Sequence, residues 1–424
     1  MKFEPILHKF SNGISVLLDP MDLETTNVKV HFRTGARDEK PNEYGLTHFC
    51  EHMLCKGTAR FPTQKIANEY MDFNGGVKNA STGISGLNLY GRILAENVNI
   101  LIDFFGDQIQ NSLFLPEKIE IERKVISDEL RRAQDDPNGQ LYYFTKEKLF
   151  NNTGYSNVIQ GTFDNIANFT RGQMLEFLSR RLSAKNCIIG ISGKINDADE
   201  VLATLEKTFG FLPATDVSEN TDIAYTPAVA HNSQPDKKNV KLRIFFPDIW
   251  DMAYENRYKN FCIGKFERFL RDEIYEVVRH ENGLAYGFGL DCMGNEKFNL
   301  NRLATETSVE NLEKCIALIS RAACKIYSEN KISKEDLGRY SRKNKLGNAD
   351  FLESAGRRCD KLIDFYRDYG RVYDFFDTIK LSDSVNRDDV IKNSRGYFDG
   401  AISIITQGAD YKIDLKHIWE ENFK

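Results

Sequence analysis

The sequence predicts an α+β fold of two similarly built domains, each a mixed, mostly antiparallel sheet covered by helices. Three observations predict it. The chain has 424 residues, too many for one ordinary core. Its two halves run through the same order of elements: strand, helix, two strands, long helices, helix, strand. Between them, residues 213–238 are polar, proline-containing and poor in large apolar side chains, which marks a linker. The expected division is therefore 1–212, 213–238 and 239–424.

In the first half, Pro5–Phe10, Ile14–Asp19 and Asn27–Arg33 read as strands, with Asn12-Gly13 as a turn between the first two. Helices follow over Tyr44–Lys56 and Thr63–Phe73, the second ended by Asn74-Gly75-Gly76. Val77–Thr82 and Gly86–Ile93 read as strands. Ala95–Ser112 and Pro116–Ala133 have long helical patterns, and Pro116 suits a first turn, where its missing N–H is not needed. A helix near Gln173–Leu182 and the apolar strand Cys187–Ser192 complete this half. Beyond the linker come a strand (Val240–Phe246), a helix (Tyr258–Val278), and two strands (Leu284–Cys292 and Leu303–Ser308). Long helices cover Val309–Glu329, Lys334–Gly347 and Leu352–Tyr369, followed by a helix near Arg387–Ser394 and a strand at Ala401–Thr406.

Hydrophobic residues make up 41% of the chain and charged residues 28%, the balance of a soluble globular protein. A formal charge of −5 gives no electrostatic case for a nucleic-acid partner. No uninterrupted apolar run reaches the roughly 18 residues that a transmembrane helix needs, so no membrane partner is expected. The N-terminal MKFEPILHKF lacks the apolar core of a secretory signal. The 8 cysteines form no CxxC pair, a pattern suited to reduced thiols and a cytoplasmic location.

The sharpest local feature is His48-Phe49-Cys50-Glu51-His52. At about 100° per residue on a helix, His48 and His52 project from nearly one face, one turn apart. Two imidazoles so placed can grip one Zn²⁺. Glu51 edges the same face and can take a proton from a water activated there. This H-x-x-E-H order is the inverzincin form of a zinc-peptidase motif. A catalytic zinc also needs a third protein ligand and an open position. The helix Pro116–Ala133 offers Glu122 and Glu129, seven residues apart and about 20° from alignment. One would bind the ion and the other orient a ligand from behind; the spacing alone does not choose between them.

The segment from Gly45 to Thr58 (GLTHFCEHMLCKGT) resembles the signature of the pitrilysin, insulin-degrading enzyme and mitochondrial processing peptidase family of zinc metallopeptidases. In that family the third ligand follows the second histidine after 76 residues, and 76 residues lie between His52 and Glu129 here. The stretch Glu122-Arg123-Lys124-Val125-Ile126-Ser127-Asp128-Glu129 is similar to the family's as well. The resemblance implies a processing-peptidase-like metallohydrolase fold and one zinc per chain. His48, His52 and Glu129 would be its ligands, Glu51 the base, and Glu122 the carboxylate behind the ligands.

Gly76–Thr82 (GVKNAST) resembles the family's strand beside the zinc, which pairs with extended substrate by β-augmentation. Asn79 and Ala80 would meet the peptide backbone there. Arg279-His280-Glu281-Asn282-Gly283-Leu284-Ala285-Tyr286 resembles the family's R-x-x-x-G-L-x-Y element. It implies that Arg279 and Tyr286 hydrogen-bond the substrate as its carbonyl becomes an oxyanion. In the smaller members, a chain of this length forms half of a clamshell chamber. The implied partners are a peptide substrate and a homologous subunit, as a homodimer or a heterodimer. The departures are Cys50 and Cys55, where the family usually has larger apolar residues. Cys50 points away from the metal face, whereas Cys55 shares the face of His52; core packing is expected for both.

Three activities are compatible with this pattern: a general oligopeptidase, a leader- or precursor-processing peptidase, and a non-catalytic structural or partner subunit of a heterodimeric peptidase. The complete zinc set favours the first two.

Overall fold

The structure, a computed structural model, describes residues 2–151, 153–285, 287–294, 298–329 and 331–424, with the backbone alone at 247–251 and 298. They form two compact units, each with its own sheet. The first comprises Met1–Gln140, Asn152–Ile223 and Ala349–Asp374, and the second Leu141–Asn151, Ala224–Asn348 and Phe375–Lys424. A single cut in the chain does not separate them.

The first unit holds β1 (Ile6–Lys9), β2 (Ser15–Pro20), β3 (Thr25–Phe32), β4 (Gly76–Thr82), β5 (Leu87–Leu94) and β6 (Cys187–Gly193). Their order across the sheet is β1-β2-β6-β3-β5-β4. Only β2 and β6 run parallel. Alternation in β3 sends Val28 and Val30 into the main core, while Asn27 and Lys29 face the other side. That core is closed by helices including Leu46–Leu54, Val98–Asn111, Arg171–Arg181 and Ala198–Phe209, which contribute Phe49, Phe105, Phe177 and Leu205.

Strand β6 is buried along its whole length, so both sheet faces must be covered. The second cover is the helix Ala355–Tyr369, contributed from far downstream. Gly190 lets it approach: a Cβ there would stand 2.8 Å from Ile363 and 2.9 Å from the Cys359 sulfur. Arg358 on this helix donates to Asp19 of β2 through Nε at 2.7 Å and through Nη2, both side chains almost wholly buried. Asp19→Ala would leave a buried guanidinium without its counter-charge. A loss of about 3–5 kcal/mol is expected, read as a lowered urea midpoint; a loss below about 1 kcal/mol would mean that the pair is solvated in the folded protein.

The second unit holds β7 (Val229–Ser233), β8 (Asn239–Asp251), β9 (Phe288–Gly294), β10 (Phe298–Ser308) and β11 (Ser403–Gly408), in the order β7-β11-β8-β10-β9. Only β7 and β11 are parallel. Strand for strand this repeats β2-β6-β3-β5-β4 of the first sheet, so the two units share one topology. Strand β7 lies inside the stretch read from sequence as a linker and is the counterpart of β2. Helices Pro137–Phe150, Ala198–Phe209, Phe375–Asp383 and Leu415–Asn422 have no counterpart in the sequence reading. The expected strand Leu284–Cys292 begins later, at Phe288. The helix expected over Tyr258–Val278 runs Arg257–Tyr275 and continues as a π-helix over Glu276–Glu281. Among the described residues, no helix is long and apolar enough to cross a membrane.

Candidate metal centre

The helix Leu46–Leu54 buries Leu46, Phe49, Cys50, Met53 and Leu54, an apolar stripe at helical spacing. His48, Glu51 and His52 are left on the opposite, partly open face. The helix starts at Gly45, whose φ of 94° lies in the left-handed region, and a Cβ there would stand 2.5 Å from the Gln160 carbonyl oxygen. No side chain at the N-cap serves the first amides. Instead the buried carboxylate of Glu39 accepts from Gly45 N at 2.8 Å and Thr47 N at 2.7 Å. Burial pushes this carboxyl up to about 8, against the downward pull of those two amides. Glu39 thus fixes the first turn of the helix through Gly45 and Thr47, the latter one residue before His48. Nothing in the local sequence marks it, because its partners are backbone groups six and eight residues away.

The second helix, Pro116–Asp135, crosses this one and buries Ile119, Glu122, Ile126 and Leu130. Arg123 fixes its position by donating to the carbonyls of Ile166 and Phe169. His48 Nε2 and His52 Nε2 lie 3.7 and 3.6 Å from the same Glu129 oxygen. One donor atom from each of His48, His52 and Glu129 falls within 4.8 Å of the others, the one such group of three potential ligands found among the described residues. Tetrahedral zinc with bonds of about 2.0–2.1 Å needs donors about 3.3 Å apart, so two imidazoles and a carboxylate at these separations fit the ion with small movements.

Glu122 occupies a different place. Only 4% of its side chain is exposed, and its Oε2 accepts from His52 Nδ1 at 2.8 Å while Lys56 approaches its Oε1 at 2.9 Å. Nδ1–H donation leaves the Nε2 lone pair of His52 facing His48 and Glu129. Burial raises the Glu122 carboxyl, but the hydrogen bonds from His52 and Lys56 outweigh it, and the net shift is downward. Burial lowers His52, yet Glu122, Glu129 and Glu51 together hold it above the ordinary histidine value. His48 is pushed down to about 3, first by burial and then by the neighbouring His52, which leaves its ring neutral and able to donate a lone pair. Among the described residues, the buried His48 Nδ1 has no hydrogen-bond partner.

Glu51 accepts from the Thr82 hydroxyl at 2.9 Å. Burial, aided by the charge of Glu129, raises its carboxyl above the usual range, and Thr82 offsets part of this. Thr82 ends β4, the edge strand of the sheet, so the base candidate is tied to the strand that carries Asn79 and Ala80. The Asn79 side-chain oxygen accepts from Ala80 N at 2.9 Å. Thr82, Lys56 and Glu39 were not singled out from the sequence, although the first two lie within quoted segments.

The candidates in the second half belong to the second unit. Arg279 sits in the π-helix Glu276–Glu281 and its Nη1 donates to the Ala285 carbonyl at 3.1 Å. Tyr286 lies outside the described residues. Cys50 is wholly buried, with its sulfur 3.8 Å from the Met174 carbonyl oxygen. Burial pushes the Cys55 thiol up to about 11, so it is not poised as a thiolate.

Twin sheets of one topology, with two imidazoles and a carboxylate gathered beside an edge strand, define a duplicated α+β scaffold of the metallohydrolase kind. The comparisons make the class specific. The family model described as insulinase (peptidase family M16) matches residues 16–162, and that of the M16 inactive domain matches residues 168–344. The chain belongs to the insulinase family, peptidase family M16. An uncharacterized zinc protease of Rickettsia felis is 24% identical over 396 residues, which cover 92% of this chain and 94% of the relative. The β subunit of the mitochondrial-processing peptidase of Dictyostelium discoideum is 29% identical over 210 residues, 50% of this chain and 45% of the relative. In fold, the chain matches the periplasmic protease PqqL of Escherichia coli with a TM-score of 0.81 and 17% identity, covering 100% of this chain and 50% of that one.

Proposed function

We propose that the protein is a zinc metalloendopeptidase of the H-x-x-E-H type, with one Zn²⁺ per chain held by His48, His52 and Glu129. The observation that carries this reading is the convergence of those three donor atoms within 4.8 Å, with His52 oriented by Glu122. Zinc bound there supplies a Lewis acid for a water and for the scissile carbonyl. Glu51, held by Thr82, takes the proton of the attacking water and passes it to the leaving amine. The edge of β4 receives an extended peptide, with Asn79 and Ala80 against its backbone. Arg279 and Tyr286 of the facing homologous chain donate to the carbonyl oxygen as it gains charge.

In this reading residues 1–212 carry the metal site and residues 239–424 the Arg/Tyr element, while the stretch 213–238 between them contributes β7 to the second sheet. The work is done in a chamber between two such chains, as a homodimer or with a homologous partner. The half-length match to PqqL supports this pairing. Free cysteines, eight of them, suit the reducing cytoplasm.

A fluorogenic peptide assay tests the proposal: cleavage that a chelator abolishes and added zinc restores is expected, and chelator-insensitive cleavage would overturn it. Mapping the products of a mixed peptide library separates broad degradation from removal of a leader at one site. Glu122→Gln should keep the fold but bind zinc about 10- to 100-fold more weakly in chelator competition, because an uncharged amide has one acceptor oxygen for the two donors His52 and Lys56 and no longer supports the His52 ring with a negative charge. Unchanged affinity would show that Glu122 does not orient the ligand.

A further inference from the structure

The two faces of edge strand β4 differ. Ala80 packs on the main core and Thr82 holds Glu51, so this face belongs to the donor cluster. Val77, Asn79 and Ser81 lie on the opposite face, directly across from Arg92, Tyr90 and Asn88 of β5. A groove of about 440 Å³ lies there, lined by Val77, Asn79, Tyr90 and Arg92 and by Asp360 of the helix Ala355–Tyr369. Its charges are unevenly satisfied. Lys29 is neutralised by Asp360 at 2.7 Å. Arg92 is exposed, and among the described residues no hydrogen bond or ion pair engages its side chain.

The register fixes what reaches this face. The Ala80 amide is taken by the Asn79 side chain and not by β5, so Lys78, Ala80 and Thr82 turn their backbone groups to the open edge. An antiparallel peptide paired to that edge places the side chains opposite Val77 and Asn79 on the groove face. The one opposite Val77 is in line with Arg92. Its backbone would lie about 9.6 Å from that of β5, two strand spacings, a gap that an arginine and a carboxylate side chain span together.

We propose that Arg92 is a specificity-determining residue that favours Asp or Glu in the peptide at the position opposite Val77, about three to five residues from the bond cut beside Ala80–Thr82. This rests on the reading of β4 as the substrate-binding edge. The test is a fluorogenic peptide series cut at one bond, with Glu, Ala or Lys placed in turn three, four or five residues to either side. At one of these positions the wild type should favour Glu over Lys by roughly five- to tenfold in kcat/KM, the sum of one partly exposed attraction and one repulsion. Arg92→Gln should flatten that ratio and Arg92→Glu should invert it, with the Ala peptides as the internal reference. Should Arg92→Glu fail to fold, the flattened ratio of Arg92→Gln decides. A ratio that is the same in the wild type and in a folded variant overturns the assignment of Arg92 while leaving the peptidase reading intact. A wild type that cuts no peptide of the series overturns both.

Discussion

Glu51→Gln is expected to lower peptide turnover by two to four orders of magnitude while the purified protein keeps its zinc. The substitution is nearly isosteric, and an amide oxygen at the same position still accepts from the Thr82 hydroxyl, 2.9 Å from the carboxylate in the structure. What is lost is the ability to receive a proton. Glu51 is not in the group of three donors, so the ion should stay. Single-turnover kinetics beside elemental analysis separate the two effects. Substantial hydrolysis by a zinc-loaded Glu51→Gln protein would remove Glu51 from the role of base, and loss of zinc would make it a ligand.

The second large effect is at His52. His52→Ala removes one of three donors and the contact through which Glu122 acts on the site. Zinc content should fall to background and hydrolysis with it. Addition of zinc should raise the melting temperature of the wild type, because an ion that binds only the folded state stabilises it by mass action. The variant should show no such rise. Its helix should persist, since the stripe from Leu46 to Leu54 does not include position 52. A variant with undiminished zinc would overturn the ligand set.

The histidine pair was legible because both residues sit on one helix, where a four-residue spacing is itself a geometry. The carboxylate proposed to join them was less so. Glu122 and Glu129 point almost the same way from their helix, and only the family's spacing favoured Glu129. In the structure the crossing of two helices separates them: Glu122 is sunk behind His52 beside Lys56, and Glu129 reaches both Nε2 atoms. Strand β7, VAHNS, escaped notice because it is short, half polar and at a sheet edge, where no apolar alternation is required. Its place is evident only through its parallel pairing with β11, more than 160 residues away. Glu39 escaped for a similar reason, since a buried carboxylate that caps a helix from outside leaves no periodic trace.

The sequence by itself determined the α+β class, the repetition of elements, the helix that bears His48, Glu51 and His52, and the family. These are properties of spacing within single elements, where covalent geometry converts residue number into direction. Only the tertiary structure decided which chain segments cover each sheet, as when the helix Ala355–Tyr369 crosses to the first unit to bury the second face of β6. It also shows Glu129 at both imidazoles and Glu122 behind His52, a division that the family's spacing favoured and helix geometry by itself left open. Those outcomes depend on distances between elements remote in the chain, and such distances are set by packing, to which no local pattern of residues corresponds.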